Sequence, residues 1–517
     1  GELQKAEAVG TGESLLLSYD IFSNVIAPDI YLDEDGKPVT VTTKNKLLRF
    51  KTDQLTAMMN DRPVELNFPL QEIKGELYLP VDPLKDLYGM VIREDVNTGA
   101  VLLWKENDVI QWKGERGGLN MRTGPSVKDP IVTSLPAGDQ VMILSEQNGW
   151  YEVQQPDGYH GFAFKSGIAW VETEVIPEVE RESPFIPWKP LGQKINLTWE
   201  AVYNVPPDPQ AIGPMPGVNV VSPTWFELQK LEDGTFSVAN KADPAYVSWA
   251  HECGYQVWGL FSNSFDPDWT REMLTDPEQR MHIIRQLISF AEMYQLQGIN
   301  IDFENVYFED QDRFTQFVRE MSPMLHEQGL VVSIDVTIRG GSAQWSLFLD
   351  RERLAEFVDY MIVMTYDEHW ASSPVAGSVA SLPWVEKGMV DIMEQDHVPA
   401  SKLIVGVPLY TRIWTEKETD DGVTVTSRAV SMNAVQSIIE ERDLEPVFSE
   451  ETGQHYVEYV NDEGHTEKIW IEDETSMKSR VALVNKYDFA GIASWQRGFA
   501  NSSIWNVIDQ ELRSGLK

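Results

Sequence analysis

Gly298-Ile299-Asn300-Ile301-Asp302-Phe303-Glu304-Asn305 alternates polar with apolar side chains. In an extended strand successive side chains point to opposite faces. Asn300, Asp302 and Glu304 therefore share one face, and Ile299, Ile301 and Phe303 the other. The apolar face suits packing beneath helices. The polar face then lines an interior and climbs toward a rim, with about 6.6 Å between successive Cα positions on it.

Working outward, the same kind of run recurs at Ile195 to Val202, Val218 to Val221, Tyr255 to Phe261, Val331 to Val336, Tyr360 to Thr365, Leu403 to Tyr410 and Gly491 to Trp495. Helical patterns such as Pro277 to Gln295, Phe314 to Gln328 and Leu382 to Gln395 lie between them. Eight strands alternating with helices predict an α/β fold, a (β/α)8 TIM barrel over residues 193–517. The polar, turn-rich stretch at about 416–474 breaks the rhythm and reads as an α+β insertion after strand seven. In this architecture chemistry sits where the strands end.

Two units precede the barrel. Residues 1–112 hold short β-prone runs, Val39-Thr40-Val41 and Leu77-Tyr78-Leu79, punctuated by Asp35-Gly36 and Pro80, with a helix expected from Thr52 to Met59. This small α+β unit resembles the N-terminal module of copper amine oxidases, although no His cluster supports a copper site. Residues 113–171 change to short strands between Gly and Pro turns, as in a small β-barrel. There Leu119-Asn120-Met121-Arg122-Thr123-Gly124-Pro125, Leu135-Pro136-Ala137-Gly138 and Asn148-Gly149-Trp150-Tyr151-Glu152-Val153 resemble the bacterial SH3-like domain. That resemblance implies a module holding an enzyme to cell-wall glycan. Residues 172–192 carry Glu172, Glu174, Glu178, Glu180 and the prolines 177, 184, 187 and 190, the composition of an extended linker.

Charge narrows the partners. Lys and Arg number 42 against 81 Asp and Glu, a formal charge of −39, so nucleic acid is not an expected partner. No apolar stretch is long enough for a membrane span. The chain opens on Gly1-Glu2-Leu3 without a basic, apolar leader. Cys253 is the single cysteine, excluding an intrachain disulfide, and Gly254 with the apolar run after it predicts that it is buried.

Two carboxylates held close in a partly desolvated pocket cannot both ionise comfortably, so the more buried one keeps its proton near neutrality. A retained proton is what a glycosidic oxygen needs. Glu304, outermost on the strand, is accordingly assigned as general acid and later base, with Asp302 as its charged partner.

Here the resemblance to family 18 glycoside hydrolases is close. Their strand-four motif of Asp, Gly, any, Asp, any, Asp, any, Glu reads Gln297, Gly298, Asn300, Asp302 and Glu304, so two acids have become amides. The resemblance implies that Asp302 holds the substrate's 2-acetamido group, whose carbonyl oxygen attacks the anomeric carbon. Met364-Thr365-Tyr366-Asp367 resembles the family's strand-six motif and implies a Tyr366 hydroxyl on that carbonyl, with Asp367 close by. Trp495, in Ala493-Ser494-Trp495-Gln496, is implied to lie beneath the central sugar. Asn300, Tyr410, Glu200, Trp225 and Arg339 complete the expected substrate-binding set. The histidines show no paired ligand spacing, and no phosphate loop or Gly-any-Ser-any-Gly elbow occurs, so neither metal nor cofactor is expected.

The function expected is cleavage of β-1,4 bonds at N-acetylglucosamine in peptidoglycan of cell wall or spore cortex, by an extracellular, wall- or spore-associated enzyme. Thr224-Trp225-Phe226 and Tyr366-Asp367-Glu368-His369-Trp370 resemble spore-cortex-lytic members of the family. A chitinase would use the same site. A non-catalytic glycan-binding protein is the third reading, and the presence of Glu304 counts against it.

Overall fold

Eight parallel strands form the framework of the C-terminal unit in the computed structural model: β1 (Ile195–Glu200), β2 (Val220–Pro223), β3 (Gln256–Ser262), β4 (Gly298–Asp302), β5 (Val331–Thr337), β6 (Tyr360–Met364), β7 (Leu403–Pro408) and β8 (Gly491–Trp495). Each pairs with its neighbour, β8 pairs with β1, and Val220 and Val221 of β2 pair with Gln256 and Val257 of β3, so the barrel is closed. The structure describes residues 8–27, 30–33, 38–95, 98–115, 118–179, 185–203, 205–420 and 422–515. Gly1-Glu2-Leu3, the Asp35-Gly36 turn and the linker residues Glu180 and Pro184 lie outside the described residues.

Strand parity sorts the core. Ile195, Leu197, Trp199, Trp258, Leu260, Val331, Tyr360, Ile362, Ile404 and Ala493 pack together inside the barrel. The opposite faces meet helices, as β4 shows. Phe303 stacks on Phe314 at 5.2 Å and tilts over Phe317 at 5.9 Å, both on the helix Gln311–Glu327. Helices Pro277–Tyr294 and Leu382–Gln395 form where the 3.6-residue patterning places them. The first begins at Asp276, whose carboxylate accepts the backbone N–H groups of Glu278 and Gln279.

Between β7 and α-helix Glu474–Tyr487 the chain builds a five-stranded antiparallel sheet rather than loose turns. Its long hairpin pairs Tyr410–Thr419 with Gly422–Ser431, and helix Met432–Glu441 packs on it through Val435. The barrel unit begins at Phe185, earlier than expected, because the end of the Pro-rich segment is packed. Phe185 stacks on His326 at 4.4 Å, Trp188 meets Trp258 edge-on, and the Trp188 carbonyl accepts the Tyr360 hydroxyl at 2.8 Å.

The preceding unit, Gly1–Pro184, contains the expected antiparallel sheets. Seven strands form the SH3-like part, and its strand Val109–Glu115 starts ahead of the expected boundary at 113. Two expectations fail. The helix from Thr52 to Met59 is absent: Thr56–Met59 is a strand paired with Arg62–Glu65. Asp53 and Asn60 both adopt positive φ, which stops a helix, and the Asn60 side chain accepts the Leu47 N–H at 2.8 Å to lock the hairpin. Cys253 is exposed, not buried, because it ends helix Pro244–Glu252 where Gly254, at φ +78°, turns the chain. Among the described residues no helix is long and apolar enough to cross a membrane.

Candidate active site

Glu304 lies two residues beyond the end of β4, where the strand ladder has stopped. Its backbone is held instead by a side chain. The Glu304 N–H donates to Asn263 Oδ1 at 3.0 Å, and Asn263 Nδ2 donates to the Glu304 carbonyl at 2.7 Å and to Thr270 Oγ1 at 2.9 Å. Asn263, immediately after β3, thus replaces one rung of sheet and fixes where the acid projects.

Below it the interior face carries two more carboxyls. Asp302 ends β4. Asp335 lies on β5, where the register pairs Asn300 with Ser333 and Ile301 with Ile334, placing Asp335 beside Asp302. Asn300 is fully enclosed one layer down: its Nδ2 donates to Asp335 Oδ2 at 2.8 Å, and its Oδ1 accepts the Ser333 hydroxyl at 2.7 Å. Its contact with the site thus runs through Asp335.

Aromatic rings surround these carboxyls. Trp199 meets Tyr366 at 6.4 Å and Trp495 at 5.9 Å, both edge-on, and Tyr366 meets Tyr410 at 6.4 Å. The Tyr410 hydroxyl donates to Asp367 Oδ1 at 2.6 Å, and the Arg412 guanidinium lies 3.5 Å from the same oxygen. Asp367 is exposed and holds positive φ.

Burial sets the charges. It pushes Glu304 up to about 7, with the Asp367 carboxylate adding to the effect. Asp302 is raised well above the carboxylate range by burial, then by the charges of Glu304 and Asp335. Asp335 is raised by burial, against the Asn300 amide that favours its ion. The Tyr366 phenol is held neutral by burial and by the same carboxylates. Asp302 is the more deeply buried of the pair, so depth does not single out Glu304; position at the open end does.

The structure brings Glu304, Asp302, Tyr366, Asp367, Tyr410 and Trp495 into one cluster, with Asn300 beneath it. Three candidates stand elsewhere. Glu200 has the opposite parity to Trp199 and points out of the barrel, where Arg497 grips both its oxygens and the Tyr246 hydroxyl donates at 3.3 Å. Trp225 is core, edge-on to Phe226 and Tyr246. Arg339 pairs with Asp396, at the end of helix Leu382–Gln395. Sequence reading passed over Asp335 and Asn263. Asp335 was legible as the second polar residue, after Ser333, in an otherwise apolar run; Asn263 carried no signal.

A closed barrel with clustered carboxyls and flat aromatic rings at the C-terminal ends of its strands defines a glycoside hydrolase. Residues 267–500 match the model of glycosyl hydrolases family 18. Residues 117–169 match the bacterial SH3 domain and residues 3–103 the copper amine oxidase N-terminal domain. The uncharacterized glycosylase YvbX of Bacillus subtilis (strain 168) is 27% identical over 311 residues, covering 58% of this chain and 85% of that protein. The cortical fragment-lytic enzyme of the same organism is 24% identical over 260 residues, 49% of this chain and 59% of its own length. Among solved structures, the C-terminal domain of a putative chitinase from Desulfitobacterium hafniense DCB-2 shares the barrel with a TM-score of 0.55 at 22% identity, over 63% of this chain and all of that one.

Proposed function

We propose that the protein cleaves the β-1,4 bond following N-acetylglucosamine in peptidoglycan, with Glu304 as proton donor and the sugar's own acetamido group as nucleophile. The observation that carries this reading is the Glu304 carboxyl fixed through Asn263 at the open end of the cluster, two residues past Asp302 and the end of β4, where burial pushes it up to about 7.

In the first half-reaction the Glu304 proton passes to the glycosidic oxygen as the bond from that oxygen to C1 breaks. The acetamido carbonyl oxygen closes on C1 from the other face. The developing positive charge on the amide is met by Asp302, which accepts its N–H, and the Tyr366 hydroxyl donates to the carbonyl oxygen to hold it in line. In the second half-reaction a water loses its proton to Glu304 and opens the ring, retaining configuration. Trp495 offers an indole face to the sugar, and Tyr410 with Arg412 holds Asp367 at the mouth.

Peptidoglycan is favoured over chitin by the SH3-like module and by the likeness to a cortical fragment-lytic enzyme, which also support a wall- or spore-associated location. The test is a soluble aryl chitobioside. Glu304→Gln, folded as judged by circular dichroism, lowers kcat by at least about 100-fold; retained turnover removes the assignment. Mass spectrometry of digested peptidoglycan settles the bond: N-acetylglucosamine at the new reducing end is expected, whereas N-acetylmuramic acid there, or turnover of chitin oligomers alone, overturns the specificity.

A further inference from the structure

Asp335 has no part in the reaction as derived so far, yet it is 2% exposed and ionisable in the most enclosed layer of the barrel. Its surroundings are specific. On one side Asn300 Nδ2 donates to Oδ2, and Ser333 holds the Asn300 carbonyl, so the amide cannot flip without losing both hydrogen bonds. On the other side lies Asp302, one residue past the Ile301–Ile334 pair as Asp335 is on its own strand, and close enough for the Asp335 charge to raise it. Asp302 Oδ1 is buried with no hydrogen bond to another described group, whereas the Trp199 indole lies where it favours the Asp335 ion.

Two buried carboxyls side by side hold one proton between them, because ionising both would set like charges together in a poorly solvated space. The donors decide its place in the free enzyme. Asn300 donates to Asp335, and Trp199 lies where it also favours the Asp335 ion; Asp302 has no such donor. Of the two, the donors therefore favour Asp335 as the site of the charge and Asp302 as the site of the proton. Glu304 and Tyr366 are the other titratable groups that face this pair.

The geometry points to Asp335 as a positioning residue for the reaction, taking the proton of Asp302 when the substrate's acetamido N–H arrives and demands a carboxylate there. The step balances within the pair: the O–H bond of Asp302 breaks, one forms on Asp335 Oδ1, and the net charge is unchanged. Asn300 serves as a fixed donor that keeps Asp335 a ready acceptor. This inference rests on the proposed role of Asp302 above.

The test compares kcat, KM and their pH profiles on the aryl chitobioside for wild type, Asp335→Asn, and the exchange variant Asn300→Asp with Asp335→Asn. Without Asp335 the Asp302 proton must leave for solvent. Asp335→Asn therefore lowers kcat by about tenfold or more, leaves KM within about threefold, and moves the acidic limb of the profile upward by at least about half a pH unit. The exchange variant restores one carboxyl and one amide to the pair and recovers kcat to within about threefold of wild type. A profile and kcat unchanged in Asp335→Asn overturn the proposal, as does an exchange variant that folds yet is no better than the single one. Should Asp335→Asn not fold, the exchange variant decides alone, and a loss beyond about tenfold overturns it. A wild-type protein inactive on every N-acetylated glycan would instead sink the reading of the site, and this inference with it.

Discussion

Glu304 titrates near 7 because its carboxyl is largely enclosed and faces the Asp367 carboxylate, and each effect disfavours the ion. With Glu304 in the proposed role of proton donor, kcat is expected to fall as pH rises through about 7. Stability carries the same sign. A carboxyl with its folded pKa raised adds stability that is full below the unfolded value and lost as pH rises through the folded one. Glu304→Gln should thus be more stable than wild type at pH 8, by about 1–3 kcal/mol, and nearly equal to it at pH 4, as read by urea denaturation. A variant less stable at pH 8 would contradict the shift. Asn263 makes a second case at this scale. Asn263→Ala leaves the Glu304 N–H and carbonyl without their partners and should cost about 2 kcal/mol in the same assay, with a fall in kcat larger than any change in KM.

Among the elements, helices Pro277–Tyr294 and Gln311–Glu327 are joined by a fully enclosed ion pair. Arg280 Nε and a terminal nitrogen each donate to Glu320 at 2.9 Å, Gln316 donates to the same carboxylate at 3.0 Å, and Arg280 also donates to the Leu274 carbonyl at 2.7 Å. Removing one partner strands the other. Arg280→Leu is expected to cost about 3–5 kcal/mol in denaturant unfolding, while Arg280→Met with Glu320→Leu recovers most of it. A single variant as stable as wild type would show the pair to be dispensable. This pair was invisible to amphipathic patterning, since a charged residue on a helix reads as solvated face. The strands were legible for the converse reason: burial on both faces demands continuous apolar runs, and each of the eight expected runs forms a barrel strand. The helix expected at Thr52 to Met59 failed because turn geometry at Asp53 and Asn60 outweighed local propensity.

Across the whole molecule, the barrel unit carries its own core and its own closing segment. A fragment starting at Phe185 should unfold cooperatively, and one starting at residue 193 should be less stable by about 2 kcal/mol, having lost the rings of Phe185 and Trp188 against His326 and Trp258. Equal melting of the two fragments would show that the segment adds nothing. Pro-rich composition reads as linker because composition reports backbone stiffness, not what a ring finds when it folds back. The strand count was legible in eight buried apolar runs, and the turning of Asn300, Asp302 and Glu304 to one face in a period of two along one stretch of chain. Long-range packing sets Asp335 near Asp302, lets Asn263 clamp Glu304, and turns Glu200 and Trp225 away from the cluster. Those are relations between strands far apart in the chain, and closure of the barrel, not local pattern, sets which side chains meet.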